Sequence, residues 1–567
     1  MPFLQPTPTD FDPDRWEALP YPERLRVACA DWAQNGYGAP LVVYLAYLVK
    51  FGAYVAGWVF FCGFTPGLGD WQNPGAWILD PVAFQKAVLW SMAWEGLGLG
   101  GGSGPLTGRY WPPMGGALHF LRPGTSKLPL FRGLPLLGRS RRGWLEVLLY
   151  AAHYLCLFRA LAAPEITPAL VWPSILLLPL LGLADRCIFL AARGEHYYVT
   201  LVCFLCMDPA RFGDTWIAGA QAVQLAVWFW AGVSKLTPNF PSVVCVMTSN
   251  SPFMRLRALR RAMYRKYPED LRPSRLAEWL AHGGAVVELC FPLLLAFSDG
   301  GWSTLVGLAL MLSFHLFITS NFPMAVPIEW NIHVVYGAFF LFHTHAGVSP
   351  LSVASPWLVV FLLVMLVALP LLGNLAPARL SFLLSMRYYA GNWPFSIWFF
   401  RKQGEQVRRL DARFVKSSGW LRDQLERFMD AREVTAMMAR LQSFRAMHLQ
   451  GRTVQALMPR VVSSIDDYEY VDGEVVAGMV LGWNFGDGHL HDEKLLALVQ
   501  ERCGFEEGDL RCLFVESQPL LGDSYHWRIH DARTGLLGSG HLKVADMKRL
   551  QPWPEPTAPV SSPPEVG

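Results

Sequence analysis

The chain is 567 residues long, 52% hydrophobic and 13% aromatic, yet only 16% charged. Soluble chains carry about a quarter charged residues, so this composition excludes an ordinary water-soluble protein and points to one embedded in lipid. The 48 Lys and Arg against 45 Asp and Glu leave a formal charge of +3, too small and dispersed for a nucleic-acid binder.

In chain order, the opening MPFLQPTPTDFDPDRW is proline-rich and acidic. It lacks the basic, apolar and small-residue succession of a signal peptide, so the first span is expected to act as the anchor. Residues 1–39 are read as an amphipathic cytoplasmic segment. A helix needs about 20 apolar residues to cross the hydrocarbon core. Seven runs meet that requirement: 40–64, 144–163, 169–192, 215–237, 277–298, 302–321 and 355–374. Three shorter or interrupted runs, 81–99, 196–212 and 332–348, bring the expectation to about ten.

Basic residues orient the spans. Arg122, Lys127, Arg132, Arg139, Arg141 and Arg142 lie between the second and third, and Arg255, Arg257, Arg260, Arg261, Arg265, Lys266, Arg272 and Arg275 after the sixth. With ten spans both clusters share the N-terminal side, which predicts cytoplasmic termini in a cell inner or plasma membrane. Beyond about residue 375 charges return. The segment KQGEQVRRLDARFVKSSGWLRDQLERFMDAREVTAMMARLQSFRAM reads as amphipathic helix, and VVSSIDDYEYV, GEVVAGMVLGWNFGDG, DLRCLFVESQPLL and SYHWRIHDARTGLLGSG read as strands and turns. The expected fold is therefore mainly α. A polytopic helical membrane bundle at 40–374 is joined to a small α+β cytoplasmic domain at 375–550 and a disordered Pro-rich tail at 551–567. The ten cysteines sit mostly in apolar runs and imply no disulfide framework.

An ionisable side chain at the centre of a membrane helix costs about 2.5–3.5 kcal/mol on insertion scales, so such residues are the first candidates for function. Here they are Lys50, Glu146, His153, Asp185, His196, Lys235, Glu288, His315, His333, His343 and His345. Lys235 closes TWIAGAQAVQLAVWFWAGVSKLTPNF just before a Thr-Pro-Asn break. Such a lysine either snorkels to the interface or, if enclosed among Trp228, Phe229 and Trp230, becomes a neutral amine able to take a proton. His196 opens the short fifth span beside Glu195. Glu288, in HGGAVVELCFPLLL, needs a partner or a proton, and His315 lies on the following helix.

These helices resemble a known family. QLAVWFWAGVSKLTPNF is similar to the helix bearing the lysine base of vitamin K-dependent gamma-carboxylases and the related HTTM proteins. GEHYYVTLVCFLCMD is similar to the preceding helix with its active-site histidine, and HGGAVVELCFPLLLAFSDGGWSTLVGLALMLSFHLFITSNFPM to the two that follow. Over about 180–330, the resemblance implies Lys235 as base toward a reduced quinone and His196 as the residue serving the substrate carbanion. Glu288, His315, Glu195 and Trp230 would line the pocket. Residues 375–567 do not resemble the carboxylase's lumenal region. Over its whole length the chain more closely resembles a family of bacterial transmembrane proteins of about this size and unknown function, through GPLTGRYWPPMGGALHFLRPGTSKLPLF (104–131) and GWNFGDGHLHDEKLL (482–496).

Two lesser constellations complete the reading. Arg109, Arg122 and Lys127 are placed to hold a phosphate or carboxylate headgroup. Asp487, His489 and His491 are metal-ligand types; on a strand the two histidines would share a face, but two ligands are too few, and a turn-rich polar loop with ordinary hydrogen bonds is the preferred reading. Gly96, Gly98 and Gly101 make a G-x-G-x-x-G with no preceding strand, a flexible re-entry rather than a dinucleotide site. The expectation is an integral membrane enzyme acting on a lipophilic quinol or lipid, with membrane lipid or a quinone as partner and no nucleic acid. A lipid-binding scaffold and a transporter are the alternatives.

Overall fold

The computed structural model describes residues 3–100, 116–297, 299–323, 328–380, 387–414, 421–483 and 488–554. After α1 (Tyr21–Asn35) the chain enters α2 (Leu41–Cys62), whose lipid-facing Leu45, Leu48, Val49 and Phe60 are exposed. Next comes α3 (Pro81–Gly96), started by the Asp80 carboxylate accepting from the Val82 amide at 2.7 Å. α3 is enclosed by the other helices on every face from Ala83 onward, Lys86 and Glu95 included.

The bundle continues through α4 (Trp144–Leu161), α5 (Pro168–Ala184), α6 (Thr215–Ser234), α7 (Phe240–Asn250), α8 (Arg257–Ala262), α9 (Arg275–Ala296), α10 (Trp302–Thr319), α11 (Ile328–Ala338) and α12 (Pro356–Leu375). Among the described residues six helices are long and apolar enough to cross a membrane: α2, α4, α6, α9, α10 and α12. The remaining expected spans are shorter or broken. The run 169–192 stops as a helix at Ala184, because Asp185 turns extended and caps the next turn through the Cys187 amide. The run 196–212 becomes a π turn (Gly194–Tyr198), a five-residue α-helix (Val199–Cys203) and a 3₁₀ turn. The run 332–348 divides into α11 and a second π segment, Phe339–Thr344.

Contacts gather the loops at two ends. At one end Thr65 donates to the Pro164 carbonyl at 2.7 Å, Tyr336 to Ile78 at 2.7 Å, and the Ala354 amide to Thr215 at 3.1 Å. At the other, the Gly116 amide donates to Gly482, Arg186 to the His489 carbonyl, Tyr525 to Asn239, and Asn239 to Gln518.

That second end is capped by an antiparallel five-stranded sheet of order β4-β3-β5-β6-β7. Its strands are β3 (Phe395–Arg401), β4 (Tyr468–Asp472), β5 (Leu510–Val515), β6 (Ser524–Asp531) and β7 (Gly535–Lys543); β1 (Tyr264–Lys266) and β2 (Asp270–Pro273) form a separate hairpin. The period-2 alternation of a strand sends Phe395, Ile397 and Phe399 toward α1, α13 (Ala431–Met447) and α14 (Leu449–Val461). Trp398 and Phe400 point the other way, toward α15 (Gly473–Leu481) and α16 (Glu493–Cys503). The N-terminal segment is thus built into this layer. Asp31 of α1 pairs with Arg440 of α13 at 2.7 Å, both side chains almost wholly buried. The stretch GEVVAGMVL, expected as strand, is the helix α15. Asp472 caps it through the Glu474 amide at 2.8 Å and Gly482, at φ +82°, ends it, so the caps override a β-branched run. The strand β3 immediately precedes the segment read as amphipathic helix and was not singled out from the sequence.

Candidate functional site

Among the described residues, two groups of buried ionisable side chains meet at α11. The first is built on irregular backbone. Arg193 has φ +49°, in the left-handed region that a non-glycine residue rarely adopts, and the π turn Gly194–Tyr198 follows it. Strained backbone and π turns concentrate at functional sites because surrounding contacts must hold them. Here the holding contacts come from α3, where Glu95 accepts from Arg193 Nε at 2.8 Å and from the Tyr197 hydroxyl at 3.1 Å.

The π turn presents Glu195 and His196, both buried. Glu195 lies within electrostatic reach of Arg193. His196 Nδ1 accepts from the Trp330 indole at 2.8 Å, and its ring lies 5.5 Å from that of His333. His333 Nδ1 is 3.2 Å from Ser91 Oγ, which in turn meets the Tyr54 hydroxyl at 2.5 Å. Trp94 donates to Glu329 at 3.3 Å. An indole N–H only donates, so the Nδ1 it reaches carries the lone pair and the neutral His196 ring carries its proton on Nε2.

In the second group Lys235, the residue closing α6, forms a buried ion pair with Glu288 of α9. Its ammonium lies 5.3 Å from the ring of Phe314 and 5.6 Å from that of Phe240. Beside it His315 Nε2 accepts from the Trp228 indole at 2.9 Å while Nδ1 faces Asn331 Oδ1 at 3.0 Å. The same argument gives the neutral His315 ring the other tautomer, with its proton on Nδ1 shared with Asn331. An apolar cleft lined by Leu305, Leu308, Ala309, Leu312, Phe339 and His343 opens beside α10.

Lys235 and His196 therefore do not touch. They are linked through α11, whose consecutive Trp330 and Asn331 each hold one of the two imidazole clusters. Trp230 does not join Lys235: it donates to the Leu366 carbonyl at 2.7 Å. Two residues along a helix turn a side chain by about 200°, so Trp228 faces His315 and Trp230 faces α12. Glu95, Arg193, Glu329, Ser91 and Trp330 went unread as site residues. The available signal was Glu95 itself, an acid inside the apolar run SMAWEGLG.

The lesser constellations resolve differently. Lys127 is fully buried, paired with Glu146 at 2.5 Å and donating to the Leu137 carbonyl at 2.6 Å, so its charge is committed inside the fold rather than to a headgroup. Arg142 and Asp185 pair likewise at 2.7 Å. Arg122 is exposed, and Arg109 lies outside the described residues. His489 and His491 stand on a 3₁₀ turn, Gly488–Leu490, and the residue after it, not on a strand. Their rings reach different partners: His489 Nε2 meets Glu516 at 2.8 Å and His491 Nδ1 meets Ser396 at 2.7 Å. Asp487 lies outside the described residues, and among those described no three His, Cys, Asp or Glu are grouped to hold a metal.

A family model described as a transmembrane protein of unknown function, DUF3556, matches residues 1–563. No curated protein and no solved structure matches the chain. The match bears out the expected transmembrane family of unknown function, whereas the carboxylase likeness stands on the residues quoted for it alone.

Proposed function

Since the chain belongs to the DUF3556 family of transmembrane proteins, we propose that it is an integral membrane enzyme of the carboxylase and HTTM type, acting on a lipophilic quinol or another lipid by proton transfer. The observation that carries this reading is the pair of imidazoles held in defined tautomers by Trp330 and Asn331 on one helix, deep in the bundle. His196, with its proton on Nε2, is set to donate to a carbanion or oxyanion. Lys235 serves as a base once its proton passes to Glu288, the carboxylate already bonded to it. The apolar cleft beside α10 suits the approach of a prenylated or acylated molecule from the lipid.

The chain is further read as crossing about ten times, the shorter helices completing the passes of the six long ones. The end opposite the sheet carries Asp70, Asp80, Glu165, Asp208, Asp214 and Asp299 against Arg159 and Arg211, while the sheet end carries the basic loops. This asymmetry supports the reading in which the sheet and both termini face the cytoplasm and the bundle spans the cell's inner or plasma membrane.

A second reading, a membrane-anchored scaffold, draws on the fact that Lys235, His196 and His315 all have partners within the chain. Mass spectrometry of the lipids and quinones that copurify with the full-length protein separates the two. The enzyme reading expects one prenylated or acylated species enriched in wild type and depleted in His196→Ala. An identical lipid profile in both favours the scaffold.

A further inference from the structure

Between α7 and α9 the segment 251–266, SPFMRLRALRRAMYRK, carries six cations and no acid. Arg260 is the only one of the six that is buried, and it fastens the segment in place by donating to the carbonyls of Met254, Ser251 and Gln34 at 2.6, 2.8 and 2.7 Å. Arg261 is tied to the Gln34 side chain. Arg255, Arg257 and, at the start of α9, Arg275 remain exposed, and none of the three makes an ion pair among the described residues. Around them stand exposed apolar side chains: Phe253 at 71%, Leu256 at 69% and Trp279 at 78%.

The position is the membrane boundary. Phe253 lies 6.5 Å from Phe322, just beyond the end of α10; Phe322 lies 5.3 Å from Tyr44 at the start of α2; and α9 begins at Arg275, directly after the β1–β2 hairpin that ends the segment. Exposed apolar rings beside arginines, at the level where three spanning helices meet water, complement the acyl boundary and phosphates of a leaflet rather than bulk solvent.

We propose that residues 251–266, together with Arg275 and Trp279 in the first turns of α9, form a docking surface for anionic phospholipid, in which Arg255, Arg257 and Arg275 engage headgroup phosphates while Phe253, Leu256 and Trp279 seat among the upper acyl carbons. The reading is independent of any catalysis at α11. Native mass spectrometry of the full-length protein in detergent, offered phosphatidylglycerol and phosphatidylcholine of the same acyl chains, tests it. Wild type is expected to retain phosphatidylglycerol preferentially. The triple variant Arg255→Gln, Arg257→Gln, Arg275→Gln is expected to lose that preference by roughly tenfold or more, and the corresponding triple Lys variant to keep it. Equal retention of the two lipids by wild type, an unchanged preference in the Gln triple, a lost preference in the Lys triple, or displacement of phosphatidylglycerol by excess inorganic phosphate would each overturn the proposal.

Discussion

Trp330 donates its indole proton to Nδ1 of His196 across 2.8 Å, joining a helix of the bundle to a π turn 134 residues earlier in the chain. The bond selects the tautomer of His196 and leaves Nε2 as the nitrogen that carries a proton. Replacing Trp330 with Phe keeps an aromatic ring but removes the donor and leaves a small gap where the second ring packed. The expected cost is about 1–3 kcal/mol of stability, the penalty for a buried acceptor left without its partner. Thermal unfolding in detergent, together with the ¹⁵N shifts of labelled histidine, checks it: an unchanged tautomer in Trp330→Phe would refute the assignment.

Arg193 and Glu95 form a buried pair at 2.8 Å, with side chains 3% and 7% exposed. Removing one partner strands the other charge, so Arg193→Gln is expected to destabilise by about 3–5 kcal/mol. Arg193→Gln combined with Glu95→Gln strands none and is expected to recover part of the loss. Additive single-variant effects in that cycle would show that the two side chains are not coupled.

Lys235→Met is expected to reduce the yield of folded protein for the same reason, because it leaves Glu288 alone in the bundle. Lys235→Met with Glu288→Gln separates folding from chemistry. The double variant is expected to restore insertion and yield while keeping the altered profile of copurifying lipids; a wild-type profile would remove Lys235 from the proposed reaction.

Glu516 supplies a pH dependence outside the membrane. Burial pushes its carboxyl up, but the His489 ring beside it, the hydrogen bond between them and the Ser517 amide outweigh that and hold it below the ordinary carboxylate value. A carboxyl depressed in the folded state contributes stability that is complete above the unfolded value of about 4.3 and is lost as pH falls through the lower folded value. Denaturation midpoints are therefore expected to fall on acidification below about pH 5 more steeply in wild type than in Glu516→Gln. Parallel acid limbs would mean that the pair contributes nothing.

The membrane class and the helices α2, α4, α6, α9, α10 and α12 were legible because hydropathy sums over neighbouring residues, whatever the rest of the chain does. The capped helix α15 was misread because its short apolar run satisfies both periods and only its caps discriminate. Lys235, Glu288, His196 and His315 were legible as charged or titratable groups in apolar surroundings, though their partners were not. Glu288 meets Lys235 from 53 positions away, and Arg193 meets Glu95 from 98. Local composition thus determined that the chain dissolves in lipid and where its helices run. Tertiary structure alone decided which side chains meet, because that depends on how separate helices rotate and pack against one another.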